Sequence, residues 1–324
     1  MTWHFYPITR FKEFRQSWDD LNCQGADSPL LSSDFVSPLL EYFSSGKEKL
    51  AVYGSRLEHP EALTILTKPK FAVWETLQPS QAPVGLWLQN TEISTAILLA
   101  NLRKSLPFPC LLVGVTQQDP DLLPRPHHEK GLSTLDYIQT ARVTLDGSFT
   151  DYWSQRGKNL RQNLNRQRNR LEREGVKTTL RIIQASEDIE AAIVAYGQLE
   201  SAGWKSTGGT AIHIENNQGK FYRDMLKNFS QTNNTLIFQY CYDDKLVATD
   251  LCIKDNRTLI ILKTTYDESI TTSSPAMLMR QDAFQYIFDN QLVEKIEFYG
   301  KVMDWHTKWS EEIRMLFHIN KRVT

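Results

Sequence analysis

Three stretches of the sequence carry side chains that could do chemistry. The first is "LVATDLCI", an apolar strand pattern with an acid inside it. Asp250 shares one face with Ala248 and Cys252, and Val247, Leu251 and Ile253 share the other. Aspartate is disfavoured in strands, so Asp250 either binds or deprotonates a substrate or forms a sheet ion pair. A tight turn at Asp255 and Asn256 would set it near Ile261 and diagonal to Lys263, the candidate partner. The second stretch is Ser-Ile-Thr-Thr-Ser-Ser from Ser269 to Ser274, followed by Pro275. Ser274 as N-cap with proline at the first helical position marks a helix start. The end of a helix with its free N–H groups suits phosphate; an ordinary capped helix is the plain alternative. The third is "YWSQRGKNLRQNLNRQRNRLEREG", with seven basic residues, Arg156, Lys158, Arg161, Arg166, Arg168, Arg170 and Arg173, in a chain of net charge −1.

Other chemistries find little support. Cys23, Cys110, Cys241 and Cys252 form no CxxC pair, and no histidine is placed to activate any of them as a nucleophile. The neighbouring His127 and His128 have no carboxylate or cysteine spaced to complete a metal site, so no metal is expected. No glycine pattern of a phosphate loop or dinucleotide site occurs in the first half.

Composition sets the frame for these residues. The chain has 324 residues, 41% hydrophobic and 23% charged, enough for about two domains with real cores. A pI near 6.7 argues against coating nucleic acid through overall charge. No apolar run approaches the roughly 20 residues that cross a bilayer, and "MTWHFYPITRFKEF" is not a signal peptide. A reduced, cytoplasmic protein is expected. Of 13 prolines only Pro275 lies beyond Pro126, so the first half reads as shorter elements than the second.

In the first half, "FKEFRQSWDDL" and "DFVSPLLEYF" read as helices, the latter with Asp34 as cap. "KLAVYGS" and "EALTILT" read as strands, "TEISTAILLANLRKSL" as a helix and "PCLLVGVT" as a strand. The alternation predicts an α/β or α+β domain. The stretch from Thr116 to Thr134 has no periodicity and reads as a loop. In the basic stretch, Trp153, Leu160, Leu164 and Leu171 fall within a stripe about 40° wide. That seam is too narrow for a membrane face, and the basic residues circle it. We expect one helix from about Trp153 to Arg173, bridging two domains along this seam, with anion binding at its surface as the functional alternative.

The second half reads as strand "VKTTLRII", helix "SEDIEAAIVAYGQLESAG" capped by Ser186, helix "GKFYRDMLKNF", a meander of three strands, helix "PAMLMRQDAFQYIFDN" and strand "VEKIEFYG". This order is that of the GNAT acyltransferase fold. "LESAGWKSTGGTAI", "FYRDML", "LKTTYDESITTSSPAMLM" and "FYGKVMDWHTKW" resemble the branch of that family first named for bacterial cellulose synthesis. The branch is related to the FemAB-type peptidoglycan-bridge aminoacyltransferases, whose members carry two such units in tandem. The likeness covers residues 150 to 312 well and the first half in outline. It implies a mixed α/β tandem fold, with a degenerate domain over 1–145 and the acyltransferase domain over 146–324.

The resemblance also implies roles. Acetyl-CoA, or another acyl-CoA, would place its pyrophosphate at Thr272, Ser273, Ser274, Ala276, Met277 and Leu278, where the branch usually has glycine in place of Ala276. An amine would attack the thioester directly. Asp250 would serve as base; Tyr266 and Asp267, beside the donor loop, would stand where an acid for the leaving thiolate belongs; Glu200 would lie at the acceptor side. Trp204, Lys205, Tyr222, Lys263 and Lys308 would bind the acceptor, a sugar, polysaccharide precursor or cell-envelope metabolite. Core packing remains the plain alternative for Trp204 and Tyr266, as does a solvated surface for Lys205. Two other readings stay open: an aminoacyltransferase using charged tRNA, whose phosphates the arginine-rich helix would contact, and a non-catalytic assembly factor that keeps the fold. The sequence sets no oligomeric state.

Overall fold

A computed structural model describes residues 1–55, 59–128, 131–202 and 212–323. The chain divides into two units, one of residues 1–139 and 314–324, the other of residues 140–313. The first contains strands β1 (Thr2–Pro7), β2 (Lys49–Gly54), β3 (Ala62–Lys70), β4 (Val73–Thr76), β5 (Trp87–Gln89), β6 (Leu112–Gln118) and most of β7 (Leu132–Thr144). Its helices are α1 (Arg15–Gln24), α2 (Ser33–Phe43) and α3 (Thr95–Ser105). The second holds α4 (Phe149–Gln155), α5 (Lys158–Arg173), β8 (Thr178–Ile183), α6 (Ser186–Ser201), α7 (Asn217–Ser230), β9 (Thr235–Tyr242), β10 (Lys245–Lys254), β11 (Thr258–Tyr266), α8 (Pro275–Asp289) and β12 (Lys295–Glu297). The last strand, β13 (Glu312–Arg322), pairs antiparallel with β6 and so joins the first unit, where the sequence placed the chain end in the second.

In the first unit the strands run in the order β1-β2-β3-β4-β6-β13, with β5 against β3. Phe11, Phe14, Trp18 and Leu21 are buried, over a 3-10 turn (Ile8–Phe14) that leads into α1. Asp34 lies in the first turn of α2 and Ser32 holds the N-cap position, a correction to the expected cap.

In the second unit the order is β12-β11-β10-β9-β8, with the end of β7 against β12. All neighbours are antiparallel except β11 and β12, which run parallel and pair only over Thr258–Ile260 and Lys295–Glu297. Beyond that point the two strands part. α4, α5 and α8 pack on one face of this sheet, and α6 and α7 contact its β9, β10 and β11.

The basic stretch is two helices, not one. α4 starts in a capping box, Ser148 with Asp151, and ends at Arg156-Gly157, both in extended backbone, before α5 begins. Leu164 and Leu171 are buried in the second unit's own core with Leu278, Phe284 and Phe288, and Trp153 and Leu160 pack against it. The seam is therefore spent within this unit's core, which corrects the expected bridge. Ser186 is the first residue of α6 and Ala185 its N-cap, with no side-chain bond, so the expected serine cap is absent.

Candidate active site

A cavity of about 850 Å³ lies beside the end of β11 that runs on past its pairing with β12. Thr264 and Tyr266 from the free end of β11 form one wall; Ser273, Ser274, Ala276, Met277 and Arg280 come from the start of α8 and the loop before it. Trp305 and Lys308, downstream of β12, close another side. The volume lies within the range of small-molecule sites.

Six of the predicted residues meet here: Tyr266, Ser273, Ser274, Ala276, Met277 and Lys308. Pro275 opens α8 at its first position, as expected. Ser274 occupies the N-cap but makes no side-chain capping bond; its N–H donates instead to Gln167 Oε1 of α5 at 2.7 Å. The capping role expected for its hydroxyl is thus corrected. Ser273 Oγ shares a 2.7 Å hydrogen bond with the Tyr242 hydroxyl, which ties the loop to the end of β9. Two other donor candidates stand elsewhere. Thr272 is exposed beyond the lining, and Leu278 points into the core, fully buried.

Asp250 does not face Lys263. A bulge between Leu251 and Cys252 slips the register by one, so that Asp250 lies opposite Thr264 and Leu251 opposite Lys263. A one-residue slip sends a side chain to the other face. The Lys263 ammonium lies 6.0 Å from the ring centre of Tyr222, a residue of α7. Asp250 instead pairs with Arg280 of α8, whose Nη2 lies 3.0 and 3.2 Å from the two carboxylate oxygens and 3.0 Å from Thr264 Oγ1. Both members of the pair are buried. The Arg280 guanidinium also sits 4.7 Å from the ring centre of Trp305, a cation–π contact. Asp250 is accordingly the inner half of an ion pair whose outer half lines the cavity. It is held as an acceptor of charge-assisted bonds.

The other predicted acids and bases take structural parts. Asp267 accepts from Lys245 Nζ (2.7 Å) and from Ser269, and these bonds hold its carboxyl below the usual range. It is ionised at neutral pH and has no proton for a leaving thiolate, which corrects its expected role. Glu200 is buried on α6 and accepts the Ile212 N–H at 2.7 Å. Tyr222 is buried too, and burial, then the charge of Glu200, pushes its hydroxyl pKa up. Trp204 and Lys205 lie outside the described residues.

Thr264, Glu268, Trp305 and Arg280 in the lining, and Gln167 behind the donor loop, escaped sequence reading. Only Arg280 had left a signal, since Ala276, Met277, Ala283 and Phe284 surround it at helical spacing, an apolar setting for a charge. Among the described residues no group of histidines, cysteines and acids could hold a metal ion.

His306 packs beside this pair, buried, stacked on Trp305 at 3.5 Å between ring centres. Its Nδ1 accepts the Met303 N–H at 2.9 Å. Burial, then the charge of Arg280, pushes its pKa down to about 4. A depressed histidine contributes stability that is whole above its unfolded value near 6.5 and is lost as pH falls towards 4. We therefore expect unfolding free energy to fall between pH 7 and 4 by about 3 kcal/mol more in the wild type than in His306→Asn. Parallel stability-versus-pH curves would contradict this.

Residues 158–307, which contain the cavity lining except Lys308, match the acetyltransferase (GNAT) domain family. This segment is a GNAT domain. The chain is an acyltransferase of mixed α/β fold. No curated protein matches it significantly. Solved structures do. FemX superposes with a TM-score of 0.60 at 8% identity, over 99% of this chain and 97% of its own. The C-terminal domain of a protein named as a lysylphosphatidylglycerol synthetase from Agrobacterium fabrum gives 0.59 at 11%, covering 96% and 93%. L-PGS from Bacillus licheniformis gives 0.52 at 15%, covering 89% and 90%. At these identities the likeness shows the fold alone, and it extends past the GNAT domain through both units.

Proposed function

We propose that the protein transfers an acyl group, acetyl in the simplest case, from acyl-CoA to an amine, and that the donor binds in the cavity at the start of α8. One observation carries the reading: the cavity lies beside the end of β11 that runs on past β12, directly against the first turn of a helix begun by Ser274-Pro275. A pyrophosphate there meets backbone N–H groups and the positive end of α8, with Lys308 on the rim. The edge of β11 beyond Ile260, no longer paired with β12, offers backbone groups to the amides of an extended arm. Ala276 belongs to the cavity wall and packs partly against the core, so the lining already accommodates its methyl group. The residues present fit the group.

When bound, the thioester supplies an activated acyl carbon. The acceptor nitrogen attacks that carbon directly, without a covalent enzyme intermediate. Tyr266, 43% exposed at the mouth of the cavity, is the hydroxyl placed to return a proton to the leaving sulfur. Arg280 fixes the inner wall through Asp250 and Thr264. The acceptor class, a sugar, polysaccharide precursor or cell-envelope metabolite, and the placement in the cellulose-associated branch rest on sequence resemblance.

A charged tRNA is the second reading, favoured by the five exposed or half-buried arginines of α5, Arg161, Arg166, Arg168, Arg170 and Arg173. Thermal shift separates the two. Acetyl-CoA at 100 times its dissociation constant should add about 2.7 kcal/mol of stability, and tRNA none. A shift with tRNA and none with CoA would replace the first reading by the second. No shift with either would favour a non-catalytic assembly factor.

A further inference from the structure

A second cavity, of about 380 Å³, flanks the start of α8 on the side of α4 and α5. Gln155, Asn159, Asn163 and Gln167 recur every fourth residue, the last three on one face of α5, and all four line it. Leu160, Leu164 and Met277 give it apolar walls, Arg156 and Lys308 give it two cations, and Glu311 is its one acid. Ser274, Met277 and Lys308 belong to both this cavity and the larger one. A single ligand centred on the first turn of α8 can therefore reach into both.

We propose that the amide-lined cavity holds the nucleotide end of the acyl donor, with the purine read by Asn159 and Asn163. This rests on the donor assignment above and extends it to a second set of residues. A carboxamide offers a donor and an acceptor side by side, the pairing that reads the edge of adenine. The apolar walls suit the flat faces of a base, and Arg156 and Lys308 suit its phosphates. The Arg156 guanidinium is held in place, donating to the Trp309 carbonyl at 2.9 Å over the Tyr152 ring. The row is also wired to the donor loop: Gln167 Nε2 donates to Asn163 Oδ1 at 3.1 Å while Gln167 Oε1 accepts the Ser274 N–H. A hydroxyl-rich acceptor could use the same amides. The two cations and the wall shared with the phosphate turn favour the nucleotide.

The test compares CoA with phosphopantetheine, which keeps the arm and lacks the nucleotide. Calorimetric titration of the wild type should show CoA binding at least about tenfold tighter, the scale of one good bidentate amide pair. Asn159→Leu, a change at an exposed helix position that leaves the Gln167 relay intact, should remove most of that advantage and leave phosphopantetheine binding unchanged. Equal affinity of the wild type for the two ligands would overturn the nucleotide site and leave donor binding standing. So would an Asn159→Leu variant that weakens both equally, or one that changes only the KM of the acceptor. If the wild type binds neither ligand, the donor assignment itself falls, and this inference with it.

Discussion

Arg280→Met should destabilise the C-terminal unit by about 3–5 kcal/mol, because it strands the Asp250 carboxylate in a buried site. The carboxylate accepts two contacts from Arg280 Nη2, and its surroundings on the Cys252 side are core. The cost belongs to the unpaired charge and not to the pair. Replacing both members, Arg280→Met with Asp250→Leu, should recover most of the loss, since apolar residues of similar volume often substitute for a buried pair with little change. A double variant as unstable as Arg280→Met alone would show that the pair's own attraction holds the fold. Denaturant unfolding of the three proteins, with the slope checked for constancy, measures this. The same series bears on catalysis. A catalytic carboxylate at Asp250 predicts that the stable double variant is inactive, whereas a wall-positioning pair predicts reduced but measurable turnover.

The location of this pair shows what sequence could and could not supply. Periodicity placed α8, the β9–β10–β11 meander and the helix start at Pro275, because each is marked by residues within a few positions of one another. It placed Asp250 on the correct face as well, with Ala248 and Cys252. The partner was missed because the turn before β11 is two residues longer than the expected turn at Asp255 and Asn256, and the bulge at Leu251 and Cys252 shifts the register by one more. Thr264 therefore stands opposite Asp250 where Ile261 was expected, and an arginine from α8, not Lys263, supplies the charge. The cavity is legible only in part for the same reason. Its donor loop is local in sequence, but Trp305 and Lys308 reach it from beyond β12, and Gln167 comes from a helix more than a hundred residues earlier. The narrow seam of the basic helix was read correctly as a buried stripe and wrongly as a bridge. A stripe says that something covers it, not what.

That seam supports the second large effect. Leu164→Ala should cost about 2–5 kcal/mol, as a truncation in a core that includes Leu278, Phe284 and Trp309. Trp153 and Leu160 are only partly buried, so their truncation should cost less. The arginines around the seam are not equivalent, although the sequence offers no distinction among them. Arg166 and Arg170 are exposed, and Arg170 pairs only with Glu174 one turn on; reversing either to glutamate should change stability by less than about 1 kcal/mol. Arg168 forms an ion pair with Asp282 and donates to Gln281 Oε1 at 3.0 and 3.2 Å, clamping α5 to α8. Arg168→Glu would set two carboxylates together in a half-buried site and leave Gln281 without its donor. It should therefore destabilise more than Arg166→Glu and Arg170→Glu combined, and in the same assay loosen the helix that holds Ser274 through Gln167. If all three reversals unfold alike, the clamp contributes nothing and α5 is held by its leucines alone. A larger loss for Arg168→Glu, partly restored by Asp282→Arg in the same chain, would show that the pair fixes α5 against the donor helix.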